Sequence, residues 1–78
     1  MSNRLLSVEF DRQGEKVEIH ANHEGLDYLI KRLQSLKESP EPNHVHLMTL
    51  DWGGDELSSE QVGEGTERIN HVKVFLWP

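Results

Sequence analysis

The 78-residue sequence predicts an α+β domain: a two-layer ββαββ sandwich with one helix packed on one face of a four-stranded, mainly antiparallel sheet. Three observations predict it. Near the start, two short runs alternate apolar and polar residues with period two. One stretch with three-and-four apolar spacing follows and ends at paired prolines. Two further β-rich runs, each opening Asn-His-Val, complete the chain.

In the first run, Leu6, Val8 and Phe10 share one side and Ser7 and Glu9 the other, which marks a half-buried strand over Leu5 to Phe10. Asp11 to Gly14 reads as a turn in which Gly14 takes positive φ. Lys16 to Ala21 alternates again, with Val17, Ile19 and Ala21 inward and Lys16, Glu18 and His20 outward, so the two strands form a hairpin.

Asn22 suits a helix N-cap, because its side-chain oxygen can accept from a free N–H of the first turn. Leu26, Leu29, Ile30, Leu33 and Leu36 then lie on one apolar face. Pro40 and Pro42 cannot continue a helix, so it runs from about Asn22 to Glu38.

His44 to Leu50 reads as the third strand, with Val45, Leu47 and Thr49 on one face and His44, His46, Met48 and Leu50 on the other. Asp51 to Arg68 is a loop far longer than the usual hairpin connection of about 2–5 residues, with a helical turn expected at Leu57 to Gln61. The fourth strand spans Ile69 to Trp77. The preferred strand order is 2-1-3-4, antiparallel throughout, with 1-2-3-4 as the alternative.

One helix covers one sheet face. Leu6, Val8, Phe10, Val17, Ile19, Val45, Leu47, Val72, Val74 and Leu76 are expected beneath it, leaving His20, His46, Met48, Leu50, Phe75 and Trp77 on the open face. That face is apolar enough to predict an interface, and a homodimer through the open face or a strand edge is expected. The alternative is reversed facing in strands three and four, since a one-residue shift swaps every side chain.

A chain this short buries only about 60–65% of its extended surface, so the core is thin. It has no cysteine, so no disulfide or thiolate zinc site braces it. A reducing cytoplasm fits that composition. No stretch reads as a signal peptide or a membrane span. The net charge is −6, and its placement matters more than its size. Asp51, Asp55, Glu56, Glu60, Glu64 and Glu67 fall in the stretch Asp51 to Glu67, which has no Lys or Arg, while the rest of the chain is balanced. That argues against nucleic acid or an anionic membrane as partner. It suits a basic protein partner.

The residues suggest no catalytic constellation, and no cofactor is expected. His44 and His46 on one strand face resemble a metal-binding pair, but antiparallel pairing would leave His71 about 20 Å from His44. The acidic loop lacks calcium-loop spacing. Gly53-Gly54 opens no phosphate-loop pattern and instead allows a sharp turn beside Trp52. Trp52 either caps the core edge or serves as a rigid anchor for a partner. Asp51, Trp52, Asp55, Glu56, Glu60, His46 and Phe75 are therefore the candidate partner-binding residues.

Several segments together resemble the immunity protein 32 family: Gly25-Leu26-Asp27-Tyr28-Leu29, Leu33-Gln34-Ser35-Leu36, Asn43 to Thr49, Asp51 to Ser58, and Asn70 to Trp77. The Trp-Gly-Gly segment after a His-Val-His strand is the more specific part. The resemblance implies an intracellular, non-enzymatic inhibitor of a bacterial polymorphic toxin. Many such toxins are nucleases with basic active sites, which fits the acidic loop. The alternative is a small self-associating structural or regulatory domain with no toxin partner.

Overall fold

The computed structural model describes residues 3–78. The elements are β1 (Leu6–Asp11), β2 (Lys16–Ala21), α1 (His23–Lys37), β3 (Asn43–Met48), a 3-10 turn (Leu50–Trp52), β4 (Glu67–Arg68) and β5 (His71–Leu76). The class is α+β with one helix, as predicted, but the strands form two antiparallel sheets, β2-β1-β4 and β3-β5.

The hairpin β1–β2 pairs Leu6 with Ala21 through Asp11 with Lys16. Asp11 closes its turn by accepting from the backbone N–H groups of Gln13 and Gly14. The left-handed residue of the turn is Glu15, at φ 50°, and not Gly14.

Asn22 caps α1 as predicted: its side-chain oxygen accepts from Gly25 N at 2.8 Å and from Leu5 N at 3.0 Å. One residue thus satisfies a free helix donor and ties the helix start to the strand entry. Gly25 is needed there because a Cβ would stand 1.6 Å from the Leu5 carbonyl oxygen. At the far end Ser39 Oγ donates to the Leu36 carbonyl, closing the helix before Pro40.

The preferred strand order does not hold. β5 pairs with β3 as expected, but β1 pairs with β4, which lies at the end of the stretch expected as loop, and not with β3. What reads as one strand from Ile69 to Trp77 breaks at Ile69-Asn70. Ile69 N still donates to Val8 of β1, whereas Asn70 accepts from Thr49 at the end of β3. Where the final strand leaves β1, the long loop supplies the missing partners. Ser58 exchanges hydrogen bonds with Leu6, its N–H donating to the Leu6 carbonyl and its hydroxyl accepting from Leu6 N. Leu57 N donates to Met48 of β3. Leu57 to Gln61 is therefore an irregular segment that stitches the sheets together through Leu57 and Ser58, not the expected helical turn.

The core is Leu6, Val8, Leu47 and Leu57, with Tyr28, Leu29, Ile69 and Val72 packed on it. Facing follows the first reading and not the reversed one: Leu6, Val8, Val17, Ile19, Leu47, Val72 and Val74 look toward Leu29 and Leu33 of the helix. Coverage is incomplete, however, and Val17 and Ile19 remain 57% and 56% exposed. The polar side of β1 also differs from expectation. Ser7 and Glu9 are fully buried, because the acidic loop folds back over them.

Candidate protein-binding face

On the face of β3–β5 away from the helix, Phe75 stands opposite His44, Lys73 opposite His46, and His71 opposite Met48. Side chains on one face of an antiparallel pair touch both directly and along the diagonal. The result is an unbroken row of rings. Trp77 stacks on Phe75 at 5.9 Å, and Phe75 meets His44 at 5.3 Å. His44 meets His46 at 4.8 Å, and His46 stacks on His71 at 5.0 Å. His71 reaches Trp52 at 6.1 Å. A tryptophan ends the row on either side, and both are exposed, Trp77 at 69% and Trp52 at 59%. Lys73 lies over the Phe75 ring at 5.0 Å.

The wide separation expected between His44 and His71 is thus wrong in its consequence. His46 sits on the diagonal and bridges them, its Nε2 at 3.1 Å from His44 Nε2 and its Nδ1 at 2.8 Å from His71 Nε2. Three neutral imidazoles satisfy this with one directional run of donors, because each ring carries one N–H and one acceptor nitrogen. Burial pushes the His46 pKa below 6.5, and the neighbouring His44, His71 and Lys73 push it further.

Trp52 is held by local geometry. The turn Leu50–Trp52 closes with Trp52 N donating to Thr49, and Gly53 follows in the left-handed region at φ 93°. Gly54 then lies against Met48, where a Cβ would come within 2.7 Å of the Met48 Cβ. The glycine pair therefore lets the chain turn back sharply, and Trp52 stays beside His71 at the end of the row. Its exposure makes it a surface ring and not a core cap.

The acidic candidates fall into different roles. Asp51 is exposed next to Trp52 and pairs with Arg68 at 2.8 Å. Asp55 and Glu60 are exposed. The Asp55 backbone carbonyl accepts from Arg4, whose guanidinium also lies 3.9 Å over the Tyr28 ring. Glu56 turns inward: its carboxylate accepts from Met48 N at 3.0 Å and closes the end of β3. Burial raises its pKa, but hydrogen bonds from the Met48 and Asp55 backbone and the charge of Arg32 bring it below the usual value. His46 and Phe75 sit mid-row, and five of the seven candidate residues, Asp51, Trp52, Asp55, Glu60 and Phe75, are exposed. Glu56 is committed to the fold, and His46 is half-buried.

Sequence reasoning missed Glu9. Its carboxylate is buried under the loop and accepts four hydrogen bonds, from Ser7 Oγ, Val62 N, Gly63 N and Thr66 Oγ1, at 2.6–2.9 Å. Burial raises its pKa, but these four donors more than offset it and hold the carboxyl at about 2. No local signal marks this residue, because three of its donors lie more than fifty positions away. Glu9, Glu18 and His20 also bring potential metal-ligating atoms within 4.8 Å of one another. Both oxygens of Glu9 are already occupied by donors, so the group fits a loop clamp better than a cation site.

The acidic loop is therefore not a free arm. It is held over the face of β1 by Glu9, and Arg68 ties its two ends by donating to the Ser59 carbonyl and to Asp51. Its first residues meet the ring row where Trp52 reaches His71, whereas Glu60 lies beside Asn3, Arg4 and Leu5.

No helix among the described residues is long and apolar enough to cross a membrane. No curated protein and no solved structure matches the chain. The sequence model of immunity protein 32 matches residues 16–67, about two thirds of the chain, from β2 through the helix, β3, the Trp52 turn and the acidic loop. The chain belongs to the immunity protein 32 family.

Proposed function

We propose that this protein is a non-catalytic immunity protein that binds a cognate bacterial toxin in the cytoplasm and occludes it. The contact surface in this reading is the ring row from Trp52 to Trp77, with Asp51 beside it and Asp55 and Glu60 exposed further along the same loop. The observation that carries it is the row itself: six rings in contact, with an exposed tryptophan at each end. Rigid aromatic side chains of this kind supply most of the binding energy in protein interfaces. Acidic residues beside them steer a basic partner toward the surface and set its orientation. A basic nuclease is the toxin class that this charge fits.

The test is binding to the product of a toxin-like reading frame next to this gene. Purified partner should form a stable complex with the protein and lose its toxic activity in it. A partner that binds no more tightly in the presence of the intact ring row than in its absence would reject the surface.

A further inference from the structure

We infer that the apolar surface on the helix side is covered by a second copy of this chain, joined through the free edge of β2. This inference goes beyond toxin binding and uses the opposite face of the sheet.

β2 is an edge strand, paired on one side only. Beside it lies a groove of about 290 Å³ lined by Leu6, Val8, Val17, Ile19, Leu33 and other apolar side chains. Val17 and Ile19 form its rim, and the helix stripe Leu26, Ile30 and Leu33 is left 50%, 46% and 39% exposed. The molecule as a whole is more open than its size requires. It exposes 5664 Å², whereas a compact monomer of 9.0 kDa exposes about 4,900 Å². The excess, roughly 800 Å², is the area that each partner buries in an interface of standard size. Its radius of gyration, 13.0 Å, likewise exceeds the roughly 11.5 Å of a compact chain of this length.

The edge strand complements itself. A two-fold axis through Ile19 makes an antiparallel β2–β2 pair in which Ile19 faces Ile19 of the second copy and Val17 faces Ala21. On the other face the same register sets Glu18 opposite His20, which favours pairing. An axis through Glu18 would oppose two glutamates, which destabilises a sheet. Pairing through Ile19 puts both helices on one side of a continuous sheet, with their apolar flanks able to close the groove. The ring row of each copy stays open on the other side, so the dimer presents two such surfaces.

The chain has no cysteine, so the register can be read by cross-linking. Sedimentation equilibrium of the native protein across micromolar concentrations should give twice the 9.0 kDa chain mass. Under mild oxidation Ile19→Cys should form a disulfide-linked dimer in high yield, because facing strand residues meet the geometric requirement. Val17→Cys alone should not, whereas Val17→Cys with Ala21→Cys should. Ile19→Glu should weaken dimerisation at least tenfold with an unchanged circular dichroism spectrum. A native protein that stays monomeric to hundreds of micromolar overturns the inference. A native dimer in which Ile19→Cys fails to cross-link also overturns it, and places the contact on another surface.

Discussion

The Thr66 hydroxyl donates a 2.6 Å hydrogen bond to the Glu9 carboxylate, joining residues fifty-seven positions apart in a fully buried contact. With Ser7, Val62 and Gly63 it makes Glu9 the anchor of the acidic loop. The carboxyl is held at about 2, below its ordinary 4.5. The unfolded chain therefore takes up this proton more readily than the folded one. The stabilisation is complete above about pH 4.5 and is lost as the pH falls toward 2. Urea midpoints should decline across that window. Glu9→Gln should flatten this decline and lower stability at neutral pH by about 2 kcal/mol, the scale of hydrogen bonds to a buried charge. Equal midpoints for the two proteins at neutral pH would show that the clamp does not hold the loop.

Gly25 and Gly53 should respond very differently to substitution. Gly25→Ala drives a methyl group onto the Leu5 carbonyl oxygen, and backbone cannot yield as a flexible side chain can. A loss of about 3 kcal/mol is expected, at the upper end of the cost of overpacking. Gly53 is left-handed, but a Cβ added there would meet nothing within 4 Å. Gly53→Asn should therefore cost only a small fraction of that loss, because asparagine tolerates this conformation. Thermal melts of the two variants decide it, and a larger drop for Gly53→Asn would contradict the close helix–strand approach.

His46 should titrate below the ordinary 6.5 of a histidine. Burial and the surrounding His44, His71 and Lys73 all oppose its charging. Its folded pKa is depressed, so any stability linked to it is present at neutral pH and declines as the pH falls through 6.5 toward the folded value. Nuclear magnetic resonance titration of the His46 signal, assigned with His46→Asn, should show a midpoint below 6.5. A His46 pKa above 6.5 would contradict the burial of this ring against its neighbours.

The helix was legible because its determinants are local: Asn22 at the start, the apolar stripe from Leu26 to Leu36, and Pro40 and Pro42 beyond the end. Strand facing was legible for the same reason, since alternation survives whatever the strand pairs with. The strand order was not. It turns on the break at Ile69-Asn70, where β-rich sequence runs on without interruption but the backbone changes partners. The buried polar face of β1 was hidden too. Ser7 and Glu9 alternate like solvent-facing residues, and only the returning loop reveals that they are covered. At the candidate site, the residues of the ring row could be read from strand parity. Their contact could not, because it depends on the diagonal between His46 and His71 and on the turn that delivers Trp52.

The central claim, that the ring row is the toxin-binding surface, is tested most directly by binding kinetics of Trp52→Ala and Phe75→Ala against the cognate toxin. Trp52 is 59% and Phe75 47% exposed, and neither belongs to the buried core, so both variants should keep the native circular dichroism spectrum. Each should speed dissociation, with a loss of about 2 kcal/mol or more if it is a hot spot. Asp55→Lys with Glu60→Lys should mainly slow association and weaken its salt dependence, since both carboxylates are exposed and act by long-range steering. Native dissociation rates in both folded ring variants would contradict the claim and move the contact off this face.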